Sequence, residues 1–282
     1  MNKALRWRKM KKKDAAGLEI LLRDQEPWCV AACSRFLKRN PARDYVWTLR
    51  DKNGGVSSMI IQSKWTLLPV LCGQKTIPSP RFLCGFFNTV PIHSLQGQKD
   101  EAVLLEQALR ELGRQASETI DYDLMLIDRS PNEECFSAGP PDLILRKPLF
   151  TDADTLAALQ ADYEREEVLP KNAVFNPAAS RLNIERILSN EQILTAELDG
   201  RLVGKINTSS LSFTRFQVGG VYVHPDFRGL GIARRMAAEF VRSLIAQGKG
   251  ISLFVKKSNF AASSLYRCLG FTVLGDYRIS YY

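Results

Sequence analysis

The part of the sequence best suited to chemistry is a corner rich in glycine and arginine, Arg228 to Arg235. A strand-like run that ends at Val223 enters this corner, and a helical pattern leaves it. The first turn of a helix exposes unpaired N–H groups and the positive end of the helix dipole. Glycines remove the Cβ atoms that would keep an anion away. The corner can therefore hold a pyrophosphate, although a tight turn with solvated arginines would use the same residue types.

Two common phosphate-binding patterns are absent from this corner. The loop of ATP-binding proteins needs Gly-Lys-Ser or Gly-Lys-Thr, which the corner lacks. The dinucleotide pattern would begin at Gly229 and Gly231, but Arg234 stands at its third glycine position. Lys256 and Lys257 occupy the strand end where that pattern needs an acid. The sequence therefore disfavours ATP-type and nicotinamide ligands.

A second element supports a different ligand. Arg228-x-x-Gly231-x-Ala233 resembles the (Gln/Arg)-x-x-Gly-x-(Gly/Ala) signature of the GCN5-related N-acetyltransferase (GNAT) superfamily. The segment from Asn259 to Phe271 is similar to that family's Asn-x-x-Ala-x-x-Leu-Tyr-x-x-x-Gly-Phe element. The two motifs lie at the separation found in that family. At motif level the resemblance covers residues 143–282 and does not extend to residues 1–142.

The resemblance implies acetyl-CoA as co-substrate and an amine as acceptor. The strand before the loop would pair its backbone with the pantetheine arm, and Asn259 would hydrogen-bond that arm as well as cap the next helix. The strand residues so implied are Val221, Tyr222 and Val223. The loop amides that would bind the pyrophosphate belong to Arg228, Gly229, Leu230, Gly231, Ile232, Ala233 and Arg234.

In that family the amine attacks the thioester directly. Tyr266 stands where the family places its general acid, which protonates the departing thiolate. A backbone N–H near Val221 would stabilise the oxyanion. Many relatives carry a glutamate on the strand before the loop, but residues 214–223 contain no acid and Gln217 cannot accept a proton. The base is left open among a chain of water molecules and His224, Glu164, Glu166, Glu167 and Glu197.

Hydrophobic periodicity predicts the elements that position these residues. Residues 143–282 show the order β-α-α-β-β-β-α-β-α-β, with a strand at 216–223 and a helix at 231–247 flanking the loop. Residues 14–142 show a similar order. The predicted fold class is α/β (α+β), with a mixed, mostly antiparallel central sheet flanked by helices. We expect two such GNAT-like domains in tandem, an N-terminal domain at 14–142 that is degenerate and an acetyltransferase domain at 143–282.

Composition limits the other possibilities. The net charge is +9, but residues 1–13 carry seven lysines and arginines and no acid. We read these residues as a basic tail and expect neither nucleic acid nor a membrane as a main partner. The six cysteines form no CxxC pair and the chain has two histidines, so no metal site is expected. A cytoplasmic protein is predicted, and a homodimer is compatible with the sequence.

Two functional hypotheses remain from the sequence. The first is an acetyl-CoA-dependent N-acetyltransferase that modifies a primary amine, which Tyr266 favours. The second is a catalytically silent acyl-CoA-binding regulatory protein, which the missing strand glutamate favours. The fold alone does not identify the acceptor.

Overall fold

The computed structural model describes residues 7–73, 91–171 and 173–282. The chain divides into two compact units. Unit 1 comprises Met1–Leu124 and Leu274–Tyr282, and unit 2 is Met125–Val273. The domain limits expected from the sequence, 14–142 and 143–282, remain predictions, and they differ from these units in where they place residues 125–142 and 274–282. Residues 1–6 of the predicted tail and Cys84 lie outside the described residues.

Unit 1 is a mixed sheet with three described helices. The β2–β3 and β3–β4 pairs are antiparallel, the β4–β5 pair is parallel, and the final strand pairs antiparallel with β5. The final strand, β12, and β6 each have residues in both units. The elements are β1 (Arg8–Lys9), α1 (Ala15–Asp24), α2 (Val30–Leu37), β2 (Tyr45–Arg50), β3 (Val56–Ser63), β4 (Thr66–Val70), β5 (Ser94–Gln98), α3 (Lys99–Glu111), β6 (Glu118–Ile127) and β12 (Thr272–Tyr281).

The described part of the predicted tail is packed in unit 1. Trp7 is buried in the core of this unit, and β1 pairs antiparallel with β2. The buried carboxylate of Asp14 accepts a hydrogen bond from Arg8 at 2.8 Å. Residues 7–13 are therefore part of the folded unit.

Unit 1 has no counterpart of the glycine-rich corner at the start of its longest described helix. Strand β5 ends at Gln98 and α3 begins at Lys99. Without intervening residues, no loop at this position can wrap an anion as the predicted corner does.

Unit 2 contains the sheet that positions the candidate site. The sheet order is β11-β10-β9-β8-β7, with β10 and β11 parallel and the other pairs antiparallel. This arrangement confirms the predicted fold class, a mixed and mostly antiparallel sheet with helices. Its elements are β7 (Ile144–Arg146), α4 (Ala153–Tyr163), α5 (Pro177–Asn190), β8 (Ile193–Leu198), β9 (Arg201–Leu211), β10 (Arg215–Val223), α6 (Ile232–Ile245), β11 (Gly250–Lys256) and α7 (Phe260–Leu269).

Helix α6 packs into the larger core of unit 2 through one apolar stripe. Ile232, Met236, Phe240 and Leu244 recur every fourth residue, and all are buried with Val218 and Val223 of β10. Helices α4 and α5 form a second core with Tyr222 of β10. Strand β10 therefore contributes side chains to two cores, which fixes its position.

The described residues contain neither a membrane-spanning helix nor a metal-binding cluster. None of their helices is long and apolar enough to cross a bilayer. No group of three or more His, Cys, Asp or Glu side chains among them could hold a metal ion.

Candidate active site

The candidate site begins where two parallel strands stop pairing. The register of β10 with β11 runs from Arg215 opposite Gly250 to Val218 opposite Leu253. Strand β10 continues to Val223 and β11 continues to Lys256, but the two strands do not pair with each other beyond this register. Beyond Val218 the edge of β10 on the β11 side is therefore available to pair with an extended ligand.

A β-bulge follows on the other side of β10. Gly219 pairs with Asn207 and Tyr222 pairs with Lys205, so the two residues between them on β10 face a single residue of β9. Gly220 has φ of +61°, and a Cβ atom there would lie 2.1 Å from Asn207 Oδ1 and 2.9 Å from Lys205 Nζ. Only glycine fits this position.

The glycine-rich corner forms a loop that leads into α6. Gly231 has φ of +83° and precedes the first residue of the helix. Within the described residues, five consecutive backbone amides of this loop have no protein partner, those of Gly229, Leu230, Gly231, Ile232 and Ala233. They belong to the seven that sequence analysis assigned to pyrophosphate binding. The Arg228 amide donates to Pro225 O at 3.1 Å and the Arg234 amide to Gly231 O at 3.0 Å.

The side chain of Arg228 connects this loop to the end of β10. Its Nε donates to Val223 O at 2.9 Å, and its guanidinium pairs with Glu166 at 2.7 Å. The guanidinium also lies 5.2 Å from the centroid of the Tyr222 ring. Arg228 is thus held beside the loop by protein groups, and about half of its side chain stays exposed.

An acidic segment contacts both sides of the candidate site, the glycine-rich loop and the end of β11. Helix α4 ends in a π-helical turn, Glu164–Val168. Glu166 accepts a hydrogen bond from Tyr222 Oη at 2.6 Å. Burial raises the pKa of Glu166, but the hydrogen bonds from Tyr222 and Arg228 outweigh it, so its pKa lies below the usual value. Glu167 lies 3.3 Å from Asn259 Nδ2 and 3.4 Å from Lys256 Nζ.

The amide of Asn259 has two roles at once. Its Oδ1 accepts from the Ala262 N–H at 3.0 Å and caps α7, as the sequence predicted. Its Nδ2 donates to Glu167. Because the cap uses only the oxygen, the nitrogen can face a ligand in the gap beside the end of β11.

Tyr266 is a buried phenol on α7. Burial raises its pKa above the ordinary value, and the proximity of Tyr163 and Glu167 adds to the shift. Its ring packs edge-to-face on Phe271 with centroids 5.7 Å apart. Tyr266 is therefore protonated at neutral pH, which is the state that a proton donor needs.

The candidate bases lie in different surroundings. His224 Nδ1 accepts from the Asp226 N–H in the turn after β10, and Glu197 on β8 pairs with Arg146 at 2.7 Å. Glu164 accepts from Gln160 and Asn183, each at 2.7 Å. Gln217 Oε1, next to the end of the β10–β11 pairing, is buried without a partner among the described residues.

Sequence analysis missed three polar residues at the bulge, Tyr163, Lys205 and Asn207. Tyr163 Oη accepts from the Gly220 N–H at 3.3 Å. Lys205 is fully buried, and its Nζ donates to Gly220 O at 3.0 Å and to Asn207 Oδ1 at 3.2 Å. Burial lowers the pKa of Lys205 to about 7, and the charge of Glu164 opposes this in part. A lysine within an otherwise apolar strand run was the signal available in the sequence.

Part of unit 2 is similar in sequence to known acetyltransferases. Residues 156–271 match the family model described as Acetyltransferase (GNAT) family. An acetyltransferase of Pectobacterium atrosepticum is 35% identical over 91 residues, which cover 31% of this chain and 64% of that protein. An acetyltransferase of Sodalis glossinidius is 36% identical over 91 residues, or 31% of this chain and 63% of that protein. The chain thus spans less than two thirds of the length of these relatives.

Three solved structures share the fold over nearly the whole chain. A Drosophila protein has a TM-score of 0.67 at 11% identity and covers 98% of both chains. A GCN5-related N-acetyltransferase from Sphaerobacter thermophilus has a TM-score of 0.63 at 16% identity and covers 99% of this chain and 96% of its own. A tandem GNAT protein from the clavulanic acid biosynthesis pathway has a TM-score of 0.60 at 13% identity and covers 98% of both chains. This likeness fits a second, N-terminal domain of the same fold.

Proposed function

We propose that this chain, whose residues 156–271 match the model of the GNAT acetyltransferase family, transfers an acetyl group from acetyl-CoA to a primary amine. The observation that carries the proposal is the run of loop amides from Gly229 to Ala233, which have no partner in the part of the chain that the structure describes and lie in the loop after the unpaired edge of β10. Such amides at a helix N-terminus suit a pyrophosphate. The free edge of β10, from Val221 to Val223, suits the amide groups of a pantetheine arm.

The proposed reaction joins the acceptor nitrogen to the carbonyl carbon of the thioester. The C–S bond breaks as the N–C bond forms, the amine loses one proton, and the sulfur leaves as a thiolate that takes up one proton to give CoA. The thioester oxygen gains negative charge during attack, and the backbone N–H of Val221 is the proposed donor to it. Tyr266 is the proposed donor of the proton to sulfur.

The proton of the amine has no obvious side-chain acceptor. Strand β10 carries Gln217, an amide, in the stretch where relatives often place a glutamate. Glu166 and Glu167 are already paired with cationic or polar partners. We therefore propose that water accepts the proton, and that the acceptor binds on the side of residues 160–190.

The second candidate function is a catalytically silent acyl-CoA-binding regulator. The absence of a carboxylate from β10 favours it, since such a protein would keep the loop and lose the proton acceptor. Release of free thiol from acetyl-CoA in the presence of a panel of primary amines distinguishes the two functions. Thiol released with at least one amine supports the enzyme. Acetyl-CoA binding seen by calorimetry, with no thiol released for any amine, supports the regulator.

A change at Gly231 tests the loop itself. A valine there would have to adopt φ of +83° and would place its Cβ 2.8 Å from the Gly139 amide nitrogen. Gly231→Val should weaken acetyl-CoA binding by about tenfold or more, because the loop amides would move. Gly248→Ala is the matched control, since Gly248 also has positive φ but lies in open space. Equal affinities of Gly231→Val and the wild type, measured by calorimetry, would remove this loop from the binding site.

A further inference from the structure

Lys205 is unusual among the charged groups of unit 2. It has no exposed surface, and no carboxylate of the described residues lies within ion-pair distance of its ammonium group. Its two hydrogen-bond partners are neutral oxygens, Gly220 O and Asn207 Oδ1. The Tyr163 ring centroid lies 4.8 Å from Nζ. A buried cation with neutral partners costs stability, which makes this lysine a candidate for a functional role.

The partner of Lys205 on β10 is the peptide at the bulge. Gly220 O belongs to the Gly220–Val221 peptide, and peptide bonds of the described residues are all trans. In a trans peptide the C=O and N–H groups point in opposite directions. A hydrogen bond that holds Gly220 O toward Lys205, on the β9 side, therefore directs the Val221 N–H away from β9, where β10 has lost its pairing with β11.

We propose that Lys205 is a positioning residue, which holds and polarises the Gly220–Val221 peptide so that the Val221 N–H is presented to the thioester oxygen. This inference rests on the proposed acetyl transfer and adds to it a side chain that no motif of the sequence contains. A positive charge on the carbonyl side of a peptide draws electron density from its N–H, and in a buried site such polarisation is effective. Negative charge that develops on the thioester oxygen is then stabilised through the peptide.

The burial of Lys205 argues against a direct role as the proton acceptor. A base must come within hydrogen-bond distance of the amine or of one bridging water. Lys205 has no exposed surface, and its partners on β9 and β10 surround it. Its action therefore passes through the Gly220–Val221 peptide.

The proposal has a pH signature. Three titratable groups face Lys205. Tyr163 and Glu164 lie at the end of α4, and Tyr222 is opposite Lys205 on β10. On the other neighbouring strand, β8, Lys205 pairs with Thr195, which does not titrate. Burial lowers the pKa of Lys205 to about 7. Its charge, and with it the polarisation of the peptide, is lost as the pH rises through that range. We therefore expect kcat to have a limb that falls on the alkaline side of neutrality.

The test compares kcat profiles from mildly acid to mildly alkaline pH for the full chain and for Lys205→Met, with acetyl-CoA and an amine that the wild type accepts. We expect kcat to fall about tenfold to hundredfold and the alkaline limb to disappear, with acetyl-CoA affinity changed by no more than about threefold. Lys249→Met is the matched control, because Lys249 Nζ also donates to a backbone carbonyl, Phe213 O at 2.6 Å, but away from the bulge. It should keep the wild-type profile.

A second variant keeps the test decisive if Lys205→Met does not fold. Asn207→Asp places a carboxylate beside Lys205 Nζ, which should raise the pKa of Lys205 and move the alkaline limb upward by about one pH unit or more. An unmoved limb overturns the inference, as does wild-type kcat in Lys205→Met. If the kcat profile of Lys205→Met lost a limb that rises on the acid side, Lys205 would be assigned to proton abstraction from the amine. That result would also overturn the inference. If the wild type binds acetyl-CoA but acetylates no amine, the proposed function fails first.

Discussion

The side chains of the candidate site differ in how directly they could act on a thioester. Tyr266 is buried and protonated beside Phe271. Asn259 caps a helix with its amide oxygen and donates one N–H of its amide nitrogen to Glu167, which leaves the second N–H for a ligand. Lys205 has no exposed surface, and it can influence the substrate only through the Gly220–Val221 peptide, to which it donates a hydrogen bond. Direct contact with the substrate is therefore expected from α7 and from the backbone of β10, and indirect influence from β9.

Tyr266→Phe tests the proposed proton donor. The change keeps the ring that packs on Phe271 and removes only the hydroxyl, so acetyl-CoA affinity should stay within about threefold while kcat falls by about a hundredfold, as is typical for loss of a general acid. Steady-state kinetics and calorimetry measure the two effects separately. Tyr277→Phe is the control, because Tyr277 is also buried but belongs to unit 1. An unchanged kcat in Tyr266→Phe would assign protonation of the sulfur to another group.

The site residues that lie in short sequence motifs were predictable. Those that strand register brings together were not. The loop and the Asn259 cap depend on short motifs, so the sequence alone was enough to predict both. Lys205 and Asn207 of β9 and Tyr163 of α4 meet at Gly220 of β10, and nothing near each of them in the sequence marks the meeting. Their role depends on the register of β9 with β10, which a bulge shifts and local periodicity does not encode.

Among the elements, the π-helical turn Glu164–Val168 has the largest consequence for binding. Sequence periodicity predicted a helix in this part of residues 143–282 but not this turn, because a π-helical turn carries no simple pattern of its own. The turn brings Glu166 to Arg228 beside the loop and Glu167 to Asn259 beside the end of β11. One carboxylate therefore pairs with Arg228 beside the loop, and another pairs with Asn259 beside the end of β11. An anionic ligand would contact both places.

Glu166→Gln should tighten acetyl-CoA binding by about two- to fivefold, the range expected for an exposed charge pair. Glutamine keeps the shape of the side chain and its amide oxygen can still accept from Tyr222, but the negative charge beside the proposed pyrophosphate loop is gone. The gain should shrink as salt is added. Glu185→Gln, which alters an exposed pair with Arg181 elsewhere in unit 2, should leave affinity unchanged. Weaker binding in Glu166→Gln would mean that the carboxylate helps the loop by holding Arg228.

At the scale of the whole molecule, the chain is divided between a continuous unit and a discontinuous one. Unit 2 is Met125–Val273, whereas unit 1 needs Leu274–Tyr282 in addition to its first 124 residues. The sequence predicted the fold class and the order of elements along residues 143–282. Its domain limits, which remain predictions, place the last strand with the elements that precede it, whereas the structure has most of that strand in unit 1. A strand pattern indicates that a segment is extended, and it does not say which strand will pair with it.

Gly275→Val tests the place of the last strand in unit 1. A Cβ at Gly275 would lie 2.6 Å from Trp28 Cη2, so a valine must displace the indole. The change should lower the free energy of unfolding of unit 1 by about 1–3 kcal/mol, as overpacking usually does. Tryptophan fluorescence in denaturant measures it selectively, since the four tryptophans of the chain (Trp7, Trp28, Trp47 and Trp65) all belong to unit 1. Acetyl-CoA affinity should not change, and an unaltered fluorescence transition would contradict the contact.

The discontinuity of unit 1 also sets an order of events during synthesis. Strand β12 pairs with β5 through residues 277–281 and 94–98, so the sheet of unit 1 cannot be completed until the ribosome has released the segment that follows unit 2. Every residue of unit 2 has been translated by then. Domains tend to fold as their sequence emerges. We therefore expect the site on β10 and α6 to form on the nascent chain before β5 can pair with β12.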